Sequence, residues 1–337
     1  MANAETGRFR LRVVDPILEM PAPKTSFLPE IRLRNPILNK ERVPMRAQDG
    51  KIIARLLFWI TSLPLLLFVL IGLFVLYEGA PLLGGRLREF VLGTTWDPRH
   101  GVYGVLPMIL GSILVTCGAL LLSMPFGIAS GILISEFLPS PAADAMRFLI
   151  FLMAGIPPVV YGFFGLVMIV PLVRIYLGGP GYSILCASIM LAVMILPTLI
   201  ITSEAALRAV PKECKEAALA CSGASHWQAI RFVMLPTASP GILAGIILGL
   251  GRVIGETTIV LMVTGNVPTF ASSPLSPIRT LTANIALEMG ESAGQHRQAL
   301  YATAVILFLF VMLFNMAVRV LNKFSASGKL GGRGGFA

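Results

Sequence analysis

The chain is 337 residues long, 55% of them hydrophobic and only 13% charged, with a mean hydropathy of +0.81. That composition excludes an ordinary soluble domain, because charge-free apolar runs longer than about 18 residues read as membrane spans. The net charge of +10 invites a nucleic-acid reading, but the basic residues lie outside the apolar runs and act as determinants of topology, so no nucleic-acid partner is expected.

Residues 1–51 form a polar arm with prolines at 16, 21, 23, 29, 36 and 44, and a largely irregular cytoplasmic segment is expected there. No apolar core precedes Leu56, so the arm does not read as a cleaved secretory signal. Residues 56–77 are 22 positions without a charge, enough for a first span. A polar loop is expected over 78–100, containing Thr95-Trp96-Asp97-Pro98. The charge-free run 101–135 is 35 residues long, well beyond one bilayer core, yet no polar turn divides it. It reads as a single span around 108–124 that continues as helix to Glu136, with Pro107, Pro125 and Gly127 as points of strain.

A third span is expected over 148–173, interrupted at Ala154-Gly155-Ile156-Pro157-Pro158, because each proline removes a backbone donor. Gly178-Gly179-Pro180-Gly181 marks a tight turn, and a fourth span follows over 182–203. A polar segment at 204–236 separates it from a fifth span at 240–264. A polar loop at 266–297, a sixth span at 298–318 and a glycine-rich tail at 324–337 complete the chain. The expectation is an all-α integral membrane protein of six transmembrane helices, with its membrane domain at 52–323 and both termini on one side.

Lysine and arginine decide which side. Eleven lie between Arg8 and Arg55, and Arg147, Arg208, Lys212, Lys215, Arg231, Arg319, Lys323, Lys329 and Arg333 share their side. The other side carries only Arg86, Arg88, Arg99, Arg174, Arg279 and Arg297. The excess marks the cytoplasm, which places both termini and the segment 204–236 inside.

No GxxxxGK[ST] loop occurs, and the three histidines, His100, His226 and His296, lie in different connections. The four cysteines, Cys117, Cys186, Cys214 and Cys221, have no zinc-ligand spacing and no disulfide pattern, and read as reduced packing residues. Neither an enzyme nor a cofactor or metal site is expected. The sharpest candidates are Arg252 and Glu256, because a charge at bilayer depth costs about 2.5–3.5 kcal/mol on insertion scales. Four residues apart in one helix, they would share a face and pair. Two readings stay open: a structural ion pair that fixes packing, or a site on a substrate path. In the second reading the guanidinium fork meets an oxyanion and Glu256 compensates it when no cargo is present. Thr257, Thr258 and Thr264 would add hydroxyls along the same span.

Glu216-Ala217-Ala218, Gly223 and Leu235-Pro236 together resemble the EAA loop of permease subunits in ATP-driven (ABC-type) importers. Four residues separate the EAA triplet from Gly223, where that family usually has three. GLGRVIGET followed by MVTGN, with AGIPPVVYGFFGL upstream, resembles phosphate-importer permeases, and TTWDPRHGVYGVLP favours the PstC type. The resemblance covers about 56–323 and leaves the arm outside. It implies a type I importer permease (MetI-like) fold in the prokaryotic cell (inner) membrane, moving inorganic phosphate inward by alternating access. It also implies partners: a second permease of the PstA type, two ATP-binding subunits of the PstB type at the EAA loop, and an extracytoplasmic binding protein of the PstS type. Another oxyanion, molybdate or sulfate, is the alternative cargo. An ATP-independent anion channel or secondary transporter would have no use for the EAA segment.

Overall fold

The computed structural model describes residues 47–222 and 225–330. Two compact units are distinguished, residues 1–62 and residues 63–337. Of the first, only the opening turns of helix α1 are described, so the remainder of the expected arm lies outside the described residues, as do residues 331–337 of the tail, whereas residues 324–330 are helical.

The helices are α1 (Ala47–Leu92), α2 (Leu106–Ile132), α3 (Ser140–Ala154), α4 (Pro158–Phe164), α5 (Val170–Tyr176) and α6 (Ile184–Arg208). They continue with α7 (Lys212–Ser222), α8 (His226–Ala229), α9 (Leu235–Ile254), α10 (Thr258–Val263), α11 (Leu281–Glu288) and α12 (Gly294–Leu330). Two strands, β1 (Trp96–Asp97) and β2 (Val102–Tyr103), pair antiparallel in a small hairpin. Three π-turns, Leu133–Phe137, Gly165–Ile169 and Ile230–Met234, extend α2, join α4 to α5 and join α8 to α9. Six stretches among the described residues are long and apolar enough to cross a membrane: Arg55–Leu92, Leu106–Phe137, Pro158–Tyr176, Ile184–Arg208, His226–Ile254 and Gly294–Met316. The expected six-helix membrane fold is thus what the chain adopts.

Several boundaries depart from expectation for physical reasons. Helix α1 runs on through the polar stretch after residue 77, keeping Pro81 inside and distorting only at Arg86 (φ −139°, ψ 29°). Burial drives this, since Leu82 and Phe90 enter a cluster with Trp96, Val105, Met108, Leu281 and Leu300. Tertiary packing here outweighs the polarity of Arg86, Arg88 and Glu89. The interruption expected near Pro157 is present, with α3 closing at Gly155 and α4 opening at Pro158. The third spanning stretch therefore begins at Pro158, and α3 stands as a separate helix. The fifth begins at His226, because Pro236 is tolerated beside the π-turn and Pro240 within α9. The expected loop 266–297 contains α11, capped where the Thr280 Oγ1 accepts the Ala283 N–H at 3.2 Å.

Helix α6 is the axis of the bundle and packs most extensively on α2, then on α9. Glycines bring the backbones together. A Cβ on Gly118 of α2 would stand 2.3 Å from the Ser188 Oγ, and one on Gly245 of α9 would stand 2.0 Å from the Thr202 Oγ1. Without a hydrophobic force between helices in lipid, this close van der Waals approach holds the spans together.

Candidate functional site

Helix α9 ends at Ile254, and Gly255 closes it through its N–H to the Gly251 carbonyl at 3.4 Å. Three residues later α10 begins. The continuous helix expected over 240–264 is therefore broken between Arg252 and Glu256, and the ion pair expected between them is not formed. Glu256 turns forward instead, its Oε1 accepting the N–H groups of Thr258 at 2.8 Å and Ile259 at 3.2 Å. Charge-assisted capping of α10 satisfies the carboxylate where a partner on the preceding turn was expected.

Arg252 lies in the last turn of α9, exposed, with no hydrogen-bond or ion-pair partner among the described residues. A cation there is favoured by the helix C-terminus behind it. Thr257 is half-buried, its hydroxyl 3.4 Å from the Gly255 carbonyl. Thr264 is fully buried and bonds back to the Val260 carbonyl at 2.7 Å. Beneath the break lies a cavity of ≈ 10 Å³ lined by Ser112, Thr116, Glu256, Thr280 and Thr282. The Thr282 hydroxyl donates to the Glu256 carbonyl at 3.2 Å. Non-helical backbone at membrane depth is tolerated where such polar partners or water line it.

The EAA triplet lies on α7, with Glu216 and Ala217 exposed and Ala218 half-buried. Gly223 lies outside the described residues. Leu235 and Pro236 open α9 and are half-buried.

Two ion-pair centres that sequence reasoning missed surround α7 and the foot of α6. The Glu136 carboxylate, only 6% exposed, accepts the Lys215 ammonium and the Ser135 hydroxyl, the latter at 2.9 Å. The Glu204 Oε1 accepts from the Arg147 Nε at 2.7 Å and from the Arg208 Nε at 3.1 Å, and Arg147 also pairs with Asp144. The partners of Glu136 and Arg147 stand 79 and 57 residues away, so no local spacing announced them.

A third centre occupies the opposite end of α2. The Arg279 Nη1 donates to Glu288 at 2.5 Å and to the Asn284 Oδ1 at 3.0 Å, while its Nε donates to the Asn266 carbonyl at 2.8 Å. Glu288 also accepts the Trp96 indole N–H at 2.8 Å and faces the His296 Nε2 at 2.9 Å. The Tyr103 ring stacks on His296 at 6.2 Å. Burial first, and the Glu288 charge second, push the Tyr103 phenol above its usual value. Trp96-Asp97-Pro98 in a polar loop was the one sequence signal for this centre.

The described residues build a six-span membrane protein whose fifth stretch ends at Ile254, just past Arg252, and follows the two-faced helix α7. Residues 123–326, more than half of the chain, match the family described as "Binding-protein-dependent transport system inner membrane component", and the chain belongs to that family. The YqgH protein of Bacillus subtilis strain 168, described as a probable ABC transporter permease, is 37% identical over 239 residues, covering 69% of this chain and 77% of that one. The phosphate transport system permease protein PstC of Mesorhizobium japonicum is 30% identical over 254 residues, with the same 69% and 77% coverage. Among solved structures, an inward-facing MetNI methionine ABC transporter superposes with a TM-score of 0.51 at 18% identity, covering 68% of this chain and 99% of that one. That likeness carries the fold alone, the MetI-like permease fold.

Proposed function

We propose that this chain is the PstC-type permease of an ATP-driven importer that carries inorganic phosphate inward by alternating access. The observation that carries the reading is Arg252: an exposed guanidinium at the end of a spanning helix, without a hydrogen-bond or ion-pair partner among the described residues. It stands in a chain 30% identical to a phosphate transport permease. A planar fork of donors matches a tetrahedral oxyanion, and a site with no internal partner is free to take one. Thr257 would add a hydroxyl beside it. Glu256 would act by holding α10 in place and by keeping the local charge balanced between transport events.

In this reading α7 seats an ATP-binding subunit through Glu216 and Ala217, together with Ala218 and Gly223, with Leu235 and Pro236 anchoring the segment to α9. The partners are two ATP-binding subunits of the PstB type, a second permease of the PstA type and an extracytoplasmic PstS-type binding protein. ATP hydrolysis belongs to the partners, and this chain supplies the path.

The test is purification of the complex, reconstitution and uptake measured with phosphate, sulfate and molybdate separately. Phosphate uptake is expected in the parent, and Arg252→Gln should abolish it while the complex still assembles and hydrolyses ATP. Uptake of sulfate or molybdate in preference to phosphate would move the assignment to another oxyanion. Uptake without any ATP-binding partner would indicate a passive channel or secondary transporter.

A further inference from the structure

We propose that Lys215 and Glu136 form the strap through which motion of the α7 segment reaches the membrane bundle; the inference rests on the reading of α7 as the ATPase-docking helix. Helix α7 has two faces. Glu213, Glu216, Ala217 and Ala220 are exposed, whereas Lys215, Ala218 and Leu219 are half-buried at the spacing of one helical face. An approaching subunit would meet the first set, and the second set rests on the bundle.

What α7 packs against is mostly the chain that follows it, namely α8 and the π-turn Ile230–Met234. Lys215 reaches elsewhere, to Glu136 in the π-turn that ends the second spanning stretch. Beside it, the ring of Phe137 meets His226 of α8 edge-on at 5.3 Å. The end of that stretch is thus clasped by α7 through charge and by α8 through an aromatic contact. A carboxylate as buried as Glu136 cannot lose its cation without leaving an uncompensated charge, so the two ends are held together when α7 shifts. Helix α2, which leads into Glu136, packs along α6, the axis of the core. A displacement imposed on α7 therefore has a rigid route past its own sequence neighbours and into the packed spans. Lys215 is a positioning residue on this route and touches no substrate.

The experiment uses the complete complex in proteoliposomes, with inorganic phosphate as cargo, and reads phosphate moved per ATP hydrolysed. Lys215→Met and Glu136→Gln should keep the ATP-binding partner bound while that ratio falls about fivefold or more, and Lys215→Arg should restore it to within about twofold of the parent. The exchange variant Glu136→Lys with Lys215→Glu should recover more than either of its single changes. A merely structural pair would lower the yield of complex and leave the ratio untouched. A ratio within about twofold of the parent in both neutralised variants overturns the strap while leaving the docking reading intact. A parental complex that holds no ATP-binding partner overturns the docking reading, and the strap with it.

Discussion

The indole N–H of Trp96 donates to the Glu288 carboxylate at 2.8 Å across 192 residues of sequence. That contact ties the hairpin before α2 to the end of α11, and Glu288 is its hub, since the same side chain faces Arg279 and His296. The Arg279 and Glu288 side chains are only 14% and 21% exposed, so the pair is shielded from solvent. Glu288→Gln should destabilise the purified protein by about 2–4 kcal/mol, because it leaves Arg279 without its counter-charge. Trp96→Phe, which removes the donor and leaves a smaller aromatic ring, should cost about 1–2 kcal/mol. Thermal unfolding in detergent measures both, and equal shifts for the two variants would contradict the hub.

The Tyr103 phenol has its folded pKa raised above its usual 10.0, by burial first and the Glu288 charge second. The folded state therefore holds this proton more tightly than the unfolded chain does. The resulting stability is complete below pH 10 and is lost as pH rises through the elevated folded value. Tyr103→Phe should abolish that alkaline decline while leaving stability at neutral pH nearly unchanged. Unfolding followed from about pH 9 upward in both proteins checks the sign, and a steeper decline in the phenylalanine variant would reverse it.

Gly131 of α2 touches the foot of α6 so closely that a Cβ would stand 2.8 Å from the Ser203 Cβ and 3.0 Å from the Glu204 N. Gly131→Ala should cost about 1–3 kcal/mol by forcing the two helices apart. Gly251 is the internal control, because nothing lies within 4 Å of the Cβ it would gain. Gly251→Ala should be neutral or stabilising by about 0.5–1 kcal/mol, the helical preference for alanine over glycine. The melting temperature of Gly131→Ala should fall, and that of Gly251→Ala should hold or rise.

The topology has its own test. Ser225 and Ser273 are both exposed, at opposite ends of the bundle. After replacement of Cys117, Cys186, Cys214 and Cys221, Ser225→Cys should react with an impermeant thiol reagent only in inverted vesicles, and Ser273→Cys only in intact cells. The reverse pattern would place both termini outside.

The spans were legible because hydropathy is a property of the local sequence, and a run such as 184–203 admits no other reading. The helical continuation past residue 77 was not, because only Leu82 and Phe90 finding partners near Leu300 makes the polar stretch helical. Proline misplaced the start of the fifth span, since its cost depends on whether the lost hydrogen bond falls beside a π-turn. Arg252 and Glu256 could be singled out by charge at bilayer depth. Their geometry could not, because pairing four residues apart assumes an unbroken helix, and Gly255 allows Glu256 a better set of donors. The same Gly255, standing between the two charges, was the available warning. Glu136 was invisible as a site because Lys215 is brought to it only by the fold, and for Glu204 the spacing offered Arg208 four residues on but not the remote Arg147.

The π-turn Ile230–Met234 sets a phase as well as a bend. It contains one residue more than an α-turn would use, and each residue of α-helix advances the side chains by about 100°. The stretch His226–Ile254 is otherwise continuous, so that single residue decides which way every side chain of α9 faces. Taken away, it would bring Leu250 into the slot that Gly249 now fills beside Leu199, and would turn Val253 outward where Arg252 emerges. The direction in which the guanidinium points is thus written some twenty positions earlier, in a stretch that never approaches it.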